Sequence, residues 1–73
     1  MNIHAVGNNI KKCCKRKNMT RSALASEIGV TDSTMSNWVC GHRQPTLYGM
    51  FRISRILGVP MEELMEGVEE WVT

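Results

Sequence analysis

Apolar residues return every third or fourth position in one stretch of this chain after another, and between stretches stand residues suited to starting or stopping helices. Val6, Ile10, Cys13 and Cys14 mark an amphipathic first helix over about Ala5 to Lys17, with Asn18 at its end. Thr20 stands before Arg21 to Ile28 as a cap for exposed backbone N–H groups, and Gly29 follows as a left-handed stop. Thr31 and Gly41 repeat the two signals around a third helix, Asp32 to Val39 or Cys40. Pro45-Thr46 opens a fourth that ends at Gly58, with an expected inward face of Leu47, Met50, Phe51, Ser54 and Leu57. Pro60 suits the first turn of a fifth helix, about Pro60 to Met65 or further, with Glu62 and Glu63 at its positive end. No segment alternates with the period of a strand, so the pattern predicts five helices and no sheet.

The second and third helices are short and separated only by a turn around Gly29, the arrangement of a helix-turn-helix unit. Leu24, Ala25, Ile28, Val30, Met35 and Trp38 are apolar where two such helices must meet. What this leaves on the outer face of the third helix is small and polar: Asp32, Ser33, Ser36 and Asn37.

The ordered run of Val6-Gly7, Ile10, Met19-Thr20, Leu24-Ala25, Ile28-Gly29-Val30-Thr31, Met35-Ser36-Asn37-Trp38, Gly41, Pro45-Thr46-Leu47, Leu57-Gly58-Val59 and Leu64 resembles the Cro and phage-repressor family, also called XRE-like. That resemblance implies an all-α, five-helix, lambda-repressor-like DNA-binding domain whose helices 2 and 3 form the helix-turn-helix. It implies sequence-specific binding of double-stranded DNA, with Asp32, Ser33, Ser36 and Asn37 at base edges, and Thr20, Arg21, His42, Arg43, Gln44 and Thr46 on phosphates. The side chains suit those roles. Asn37 can pair with adenine and Asp32 can accept from cytosine, although Asp32 equally suits the first turn of a helix for its charge alone. The third helix carries no Lys or Arg, so the contacted positions are expected to be rich in A·T. One departure is interpretable: relatives often pair an arginine late in helix 1 with a glutamate late in helix 3, at positions held here by Cys14 and Val39. An apolar pair can replace a buried ion pair without loss, so these two are expected to meet in the core. Lys17, where relatives are usually apolar, is expected to lay its stem on the surface with its amine in water.

Charge sharpens this picture. Net charge is only +2, but all nine Lys and Arg lie between Lys11 and Arg55, with Glu27 and Asp32 the acids among them, while Glu62, Glu63, Glu66, Glu69 and Glu70 follow. A polyanion would attract the first part and repel the second. Lys11, Lys12, Lys15, Arg16 and Lys17 alone would serve equally as a solvated helix face. With 73 residues the chain is expected to form one domain, with a core over about 5–66 and an extension at 67–73, and no attached sensor domain. Cys13, Cys14 and Cys40 are odd in number and lack metal-site spacing, so reduced thiols, no metal, no cofactor and no small-molecule ligand are expected. No stretch would span a membrane and no secretory signal is present, which points to the cytoplasm. No nucleophile, base and orienting group form a set, so no enzyme is expected.

A small core invites a partner. If the fifth helix continues through Gly67, then Met61, Leu64, Met65, Val68, Trp71 and Val72 make an apolar stripe for a homodimer, with Leu64 and Trp71 as anchors, unless Trp71 folds back on its own domain. A symmetric dimer would act as a repressor on a palindromic operator. An antitoxin-type module that binds a partner protein through the same stripe is the alternative.

Overall fold

A computed structural model describes residues 4–68. Five helices follow in order: α1 (Ala5–Lys17), α2 (Arg21–Ile28), α3 (Asp32–Cys40), α4 (Leu47–Leu57) and α5 (Met61–Leu64), with no strand among the described residues. The punctuation is as the sequence implies. Thr20, Thr31 and Thr46 each turn a hydroxyl onto the backbone N–H three residues on, at Ala23, Thr34 and Gly49, each at 3.0 Å. Asn18, Gly29, Gly41 and Gly58 close the first four helices in the left-handed region.

Val6, Ile10, Cys13, Cys14, Leu24, Ala25, Met35, Trp38, Val39, Met50, Ile53, Leu57 and Leu64 form one buried cluster drawn from all five helices. Cys14 and Val39 are both in it, which is where their apolar character directs them. Helix α1 lies against the end of α3 so closely that a Cβ at Gly7 would stand 2.2 Å from the Val39 carbonyl oxygen. Only glycine allows that crossing. Polar ties complete the packing. Buried Asn9 donates through Nδ2 to the carbonyls of Leu64 and Glu66, both at 2.8 Å, and so closes the end of α5. Arg52 donates to the Glu27 carbonyl at 3.0 Å and holds α4 to the end of α2, while its Nε is buried without an acceptor among the described residues. Ser54 donates to the Val59 carbonyl at 2.6 Å across the turn that leaves α4.

Two expectations are corrected. Helix α4 buries Gly49, Met50, Ile53 and Leu57, whereas Leu47 is 80% exposed and Phe51 46%. The buried face is turned by roughly 80° from the expected one, close to one residue step. The cause is Trp38: its ring lies where a Cβ at Gly49 would be, 2.7 Å from the nearest ring carbon, so the helix presents its glycine and Ile53 to the core. Phe51 instead lies outside under the guanidinium of Arg55, 5.6 Å from the ring centre. Helix α5, secondly, does not continue through Gly67. It ends at Leu64, and Gly67 has φ +89°. Leu64, expected as a dimer anchor, is fully buried in its own domain and has no surface to offer a partner. Met61, Met65 and Val68 are half-buried against the same core, and Trp71 and Val72 lie outside the described residues.

Candidate nucleic-acid interface

Helices α2 and α3 are joined through Gly29, whose φ of +93° a side chain would resist and whose N–H reaches the Ala25 carbonyl at 2.9 Å. Val30 N–H shares that carbonyl at 3.0 Å, so the turn is tied to α2 before α3 begins. Leu24, Ala25, Met35 and Trp38 are buried in the core that the two helices share, with Ala25 small where helices pack closely. With that face buried, Asp32, Ser33 and Ser36 are exposed on α3 and Asn37 is half-exposed beside them. The four residues expected at base edges thus share one outward face.

Asp32 has a further engagement. Ser22 on α2 donates its hydroxyl toward both carboxylate oxygens, at 3.0 and 3.1 Å, across a shallow depression that Arg21, Met35 and Ser36 also line. The carboxylate therefore bridges the first turns of both helices and keeps lone pairs for another donor. Ser22 was not among the expected site residues. Its place one step after Arg21 marks the exposed side of α2, but only the inter-helix angle brings it to Asp32.

The loop after α3 is anchored on Asn37, whose backbone carbonyl accepts from His42 N–H at 3.0 Å and Arg43 N–H at 3.2 Å. His42, Arg43, Gln44 and Thr46 are exposed along it, as are Thr20 and Arg21 at the start of α2. The six residues expected on phosphates are accordingly at the surface, at the start of α2 and in the loop between α3 and α4. Of the basic run in α1, Lys11 and Lys15 border a depression with Arg21 where α1 meets α3, and Lys17 is exposed. Arg16 is drawn away from that group: it pairs with Glu63 in the first turn of α5, which holds its guanidinium above even the usual arginine range. Among the described residues no three His, Cys, Asp or Glu side chains are grouped to hold a metal ion, and no helix is long and apolar enough to cross a membrane.

The family model described as helix-turn-helix matches residues 10–64, from mid-α1 to the end of α5. Two relatives from Bacillus subtilis (strain 168) are similar in sequence. The uncharacterized HTH-type transcriptional regulator YqaE is 34% identical over 59 residues, covering 81% of this chain and 51% of its own length. The SPbeta prophage-derived uncharacterized HTH-type transcriptional regulator YonR is 30% identical over 61 residues, covering 84% of this chain and 56% of its own. The chain thus spans about half the length of the curated relatives it matches. Among solved structures, the restriction-modification controller protein C.AhdI from Aeromonas hydrophila superposes with a TM-score of 0.79 over 86% of this chain and 96% of its own, at 19% identity, a likeness of fold.

Proposed function

The chain belongs to the XRE-type helix-turn-helix family, and from that membership we propose that it is a transcriptional regulator that binds double-stranded DNA with α3 in the major groove. The observation that carries the proposal is the division of α3: Met35, Trp38 and Val39 are buried, and Asp32, Ser33, Ser36 and Asn37 share the outward face. In this reading those four side chains meet base edges, Asn37 selecting adenine and Asp32 accepting from cytosine. Thr20, Arg21, His42, Arg43, Gln44 and Thr46 hold the phosphates on either side and supply salt-dependent affinity without sequence choice. The A·T-rich preference follows from the missing Lys and Arg on α3.

We propose further that two copies pair on a palindromic operator as a repressor, their recognition helices about 34 Å apart. For the pairing surface the outer face of α4 is favoured over the stripe after Pro60. Among the described residues Leu47 at 80%, Tyr48 at 65% and Phe51 at 46% exposure are the large apolar residues that remain outside, whereas Leu64 is buried and Met61, Met65 and Val68 half-buried. The same α4 face supports a second reading, an antitoxin-type module that keeps the DNA-binding fold and receives a partner protein there.

Selection of bound duplexes from a random pool tests the first proposal. Asn37→Ala relaxes the preference at one base pair per half-site, by about 1 to 3 kcal/mol. Arg21→Ala weakens all sequences alike and flattens the salt dependence. An unchanged selected motif with Asn37→Ala would overturn the docking.

A further inference from the structure

We propose that the depression where α1 meets the C-terminal end of α3 is a thiol-modification site for an anionic low-molecular-weight disulfide, with Cys40 the residue modified. Two thiols and three cations line it: Cys14 and Cys40, with Lys11, Lys15 and Arg21, and no lining residue is acidic. Cys40 ends α3 and is exposed, while Cys14 is buried. Burial pushes the Cys14 thiol above the usual range, neighbouring Cys13 adds to the rise, and Arg21 opposes it, which leaves Cys14 a poor nucleophile. The accessible sulfur is therefore Cys40, in a concavity whose charge draws anions toward it.

Cys13 provides an internal comparison. It is buried in a different depression, where Glu63 and Glu66 stand with Lys12, Lys15 and Arg16. Its sulfur accepts from Arg16 at 3.1 Å and lies 3.9 Å from the Glu63 carboxylate. There two carboxylates offset most of the charge of the three cations, whereas the three cations beside Cys40 are not offset, so charge and access both select Cys40.

The step is a thiol–disulfide exchange. Cys40 loses its proton to water, its thiolate attacks one sulfur of the disulfide, the old S–S bond breaks, and the second half leaves as a thiolate that takes a proton from water. Cys40 is oxidised and the departing half reduced, with no further oxidant needed. The adduct places new carboxylates beside Arg21, Lys11 and Lys15 at the end of the recognition helix. On the DNA-binding reading above, on which this consequence rests, those carboxylates repel the phosphate backbone and make binding responsive to the thiol redox state.

Oxidised glutathione is the anionic probe and cystamine the cationic one, each applied to the reduced full chain with intact-mass and peptide mapping. Glutathione should add once, on Cys40, about threefold faster than cystamine at low salt, the difference shrinking as salt rises and in the double variant Lys11→Gln, Lys15→Gln. Equal rates for the two probes, or adducts on Cys13 or Cys14 as readily as on Cys40, would overturn the site. The adduct should lower affinity for a selected duplex by about tenfold, with recovery on reduction and no effect in Cys40→Ser. Unchanged affinity of the modified protein would overturn the regulatory role. If the reduced chain binds no duplex while the charge-selective adduct still forms, the DNA-binding reading fails and the modification site stands.

Discussion

Gly7→Ala asks the smallest side chain to enter the close crossing of α1 over the end of α3. The added methyl would lie 2.2 Å from the Val39 carbonyl oxygen, 2.8 Å from its carbon and 2.9 Å from the Trp38 oxygen. Real contacts of this kind stop near 3.0 Å, so α1 and the end of α3 must part by close to 1 Å. All three obstacles are backbone atoms of a helix held at both ends, and no rotamer change relieves them. Overpacking of this sort costs about 1–3 kcal/mol. Against it stands the gain from replacing a helical glycine by alanine, about 0.5–1 kcal/mol and less in a first turn. The clash wins, and a net loss of about 1–2 kcal/mol lowers the melting temperature by roughly 4–8 °C for each kcal/mol in a domain of this size. Urea unfolding followed by tryptophan fluorescence measures it, with the slope unchanged if the effect is native-state strain. The sign is decisive: a variant as stable as the parent, or more stable, would refute the crossing, because without the clash only the helix-forming gain remains. Gly29→Ala is the control. A Cβ there meets nothing within 4 Å, but φ is +93°, so its cost of about 1–2 kcal/mol is conformational and should be largely spared in Gly29→Asn.

Three more outcomes follow from the same packing. Thr31→Ala should cost about 1 kcal/mol in chemical denaturation and Thr31→Ser almost nothing, because the hydroxyl that accepts from Thr34 N–H is what caps α3. Stability should fall as pH rises above about 9.0: the unfolded chain releases the Cys14 proton there while burial keeps it on in the fold, so the unfolded state binds fewer protons, and this component of the slope should vanish in Cys14→Val. Tyr48→Glu on the exposed α4 face should leave the unfolding free energy within about 0.5 kcal/mol of the parent yet abolish self-association in sedimentation; unchanged mass in a chain that does dimerise would remove α4 from the interface.

Helix boundaries were legible because each is signalled locally: Thr20, Thr31 and Thr46 act on N–H groups three residues away, and Asn18, Gly29, Gly41 and Gly58 on carbonyls within the last turn. The outward face of α3 was legible for a related reason, since Met35, Trp38 and Val39 leave few positions over. The face of α4 was not. Leu47, Met50, Phe51 and Ile53 are all apolar, periodicity alone allows two neighbouring faces, and the choice between them is made by the Trp38 ring lying against Gly49, a contact between residues eleven apart in sequence. The apolar stripe after Pro60 misled in the same way: its spacing is helical, but Gly67 turns the chain at φ +89° and Asn9, from the other end of the sequence, ties down the carbonyls of Leu64 and Glu66.

How α3 is held bears directly on how it would read bases. Where relatives are expected to clamp this helix with an arginine–glutamate pair, Cys14 and Val39 are both buried here, and losing both partners together leaves no unpaired charge behind. Apolar burial, however, sets a helix in place less directionally than a charged hydrogen bond does. Two other contacts supply the direction. At its C-terminal end α3 is located by backbone against backbone, since Gly7 lets α1 approach the Val39 carbonyl with nothing compressible between them. At its N-terminal end Ser22 holds Asp32 by both carboxylate oxygens and so couples the angle of α3 to α2, the helix that carries Arg21. On the proposed DNA-binding reading Asp32 would have two tasks at once: it positions the helix and would be offered to the bases. A change at Asp32 should therefore alter specificity at its own base pair and also shift Ser33, Ser36 and Asn37 relative to theirs, whereas Ser22→Ala should produce the second effect without the first.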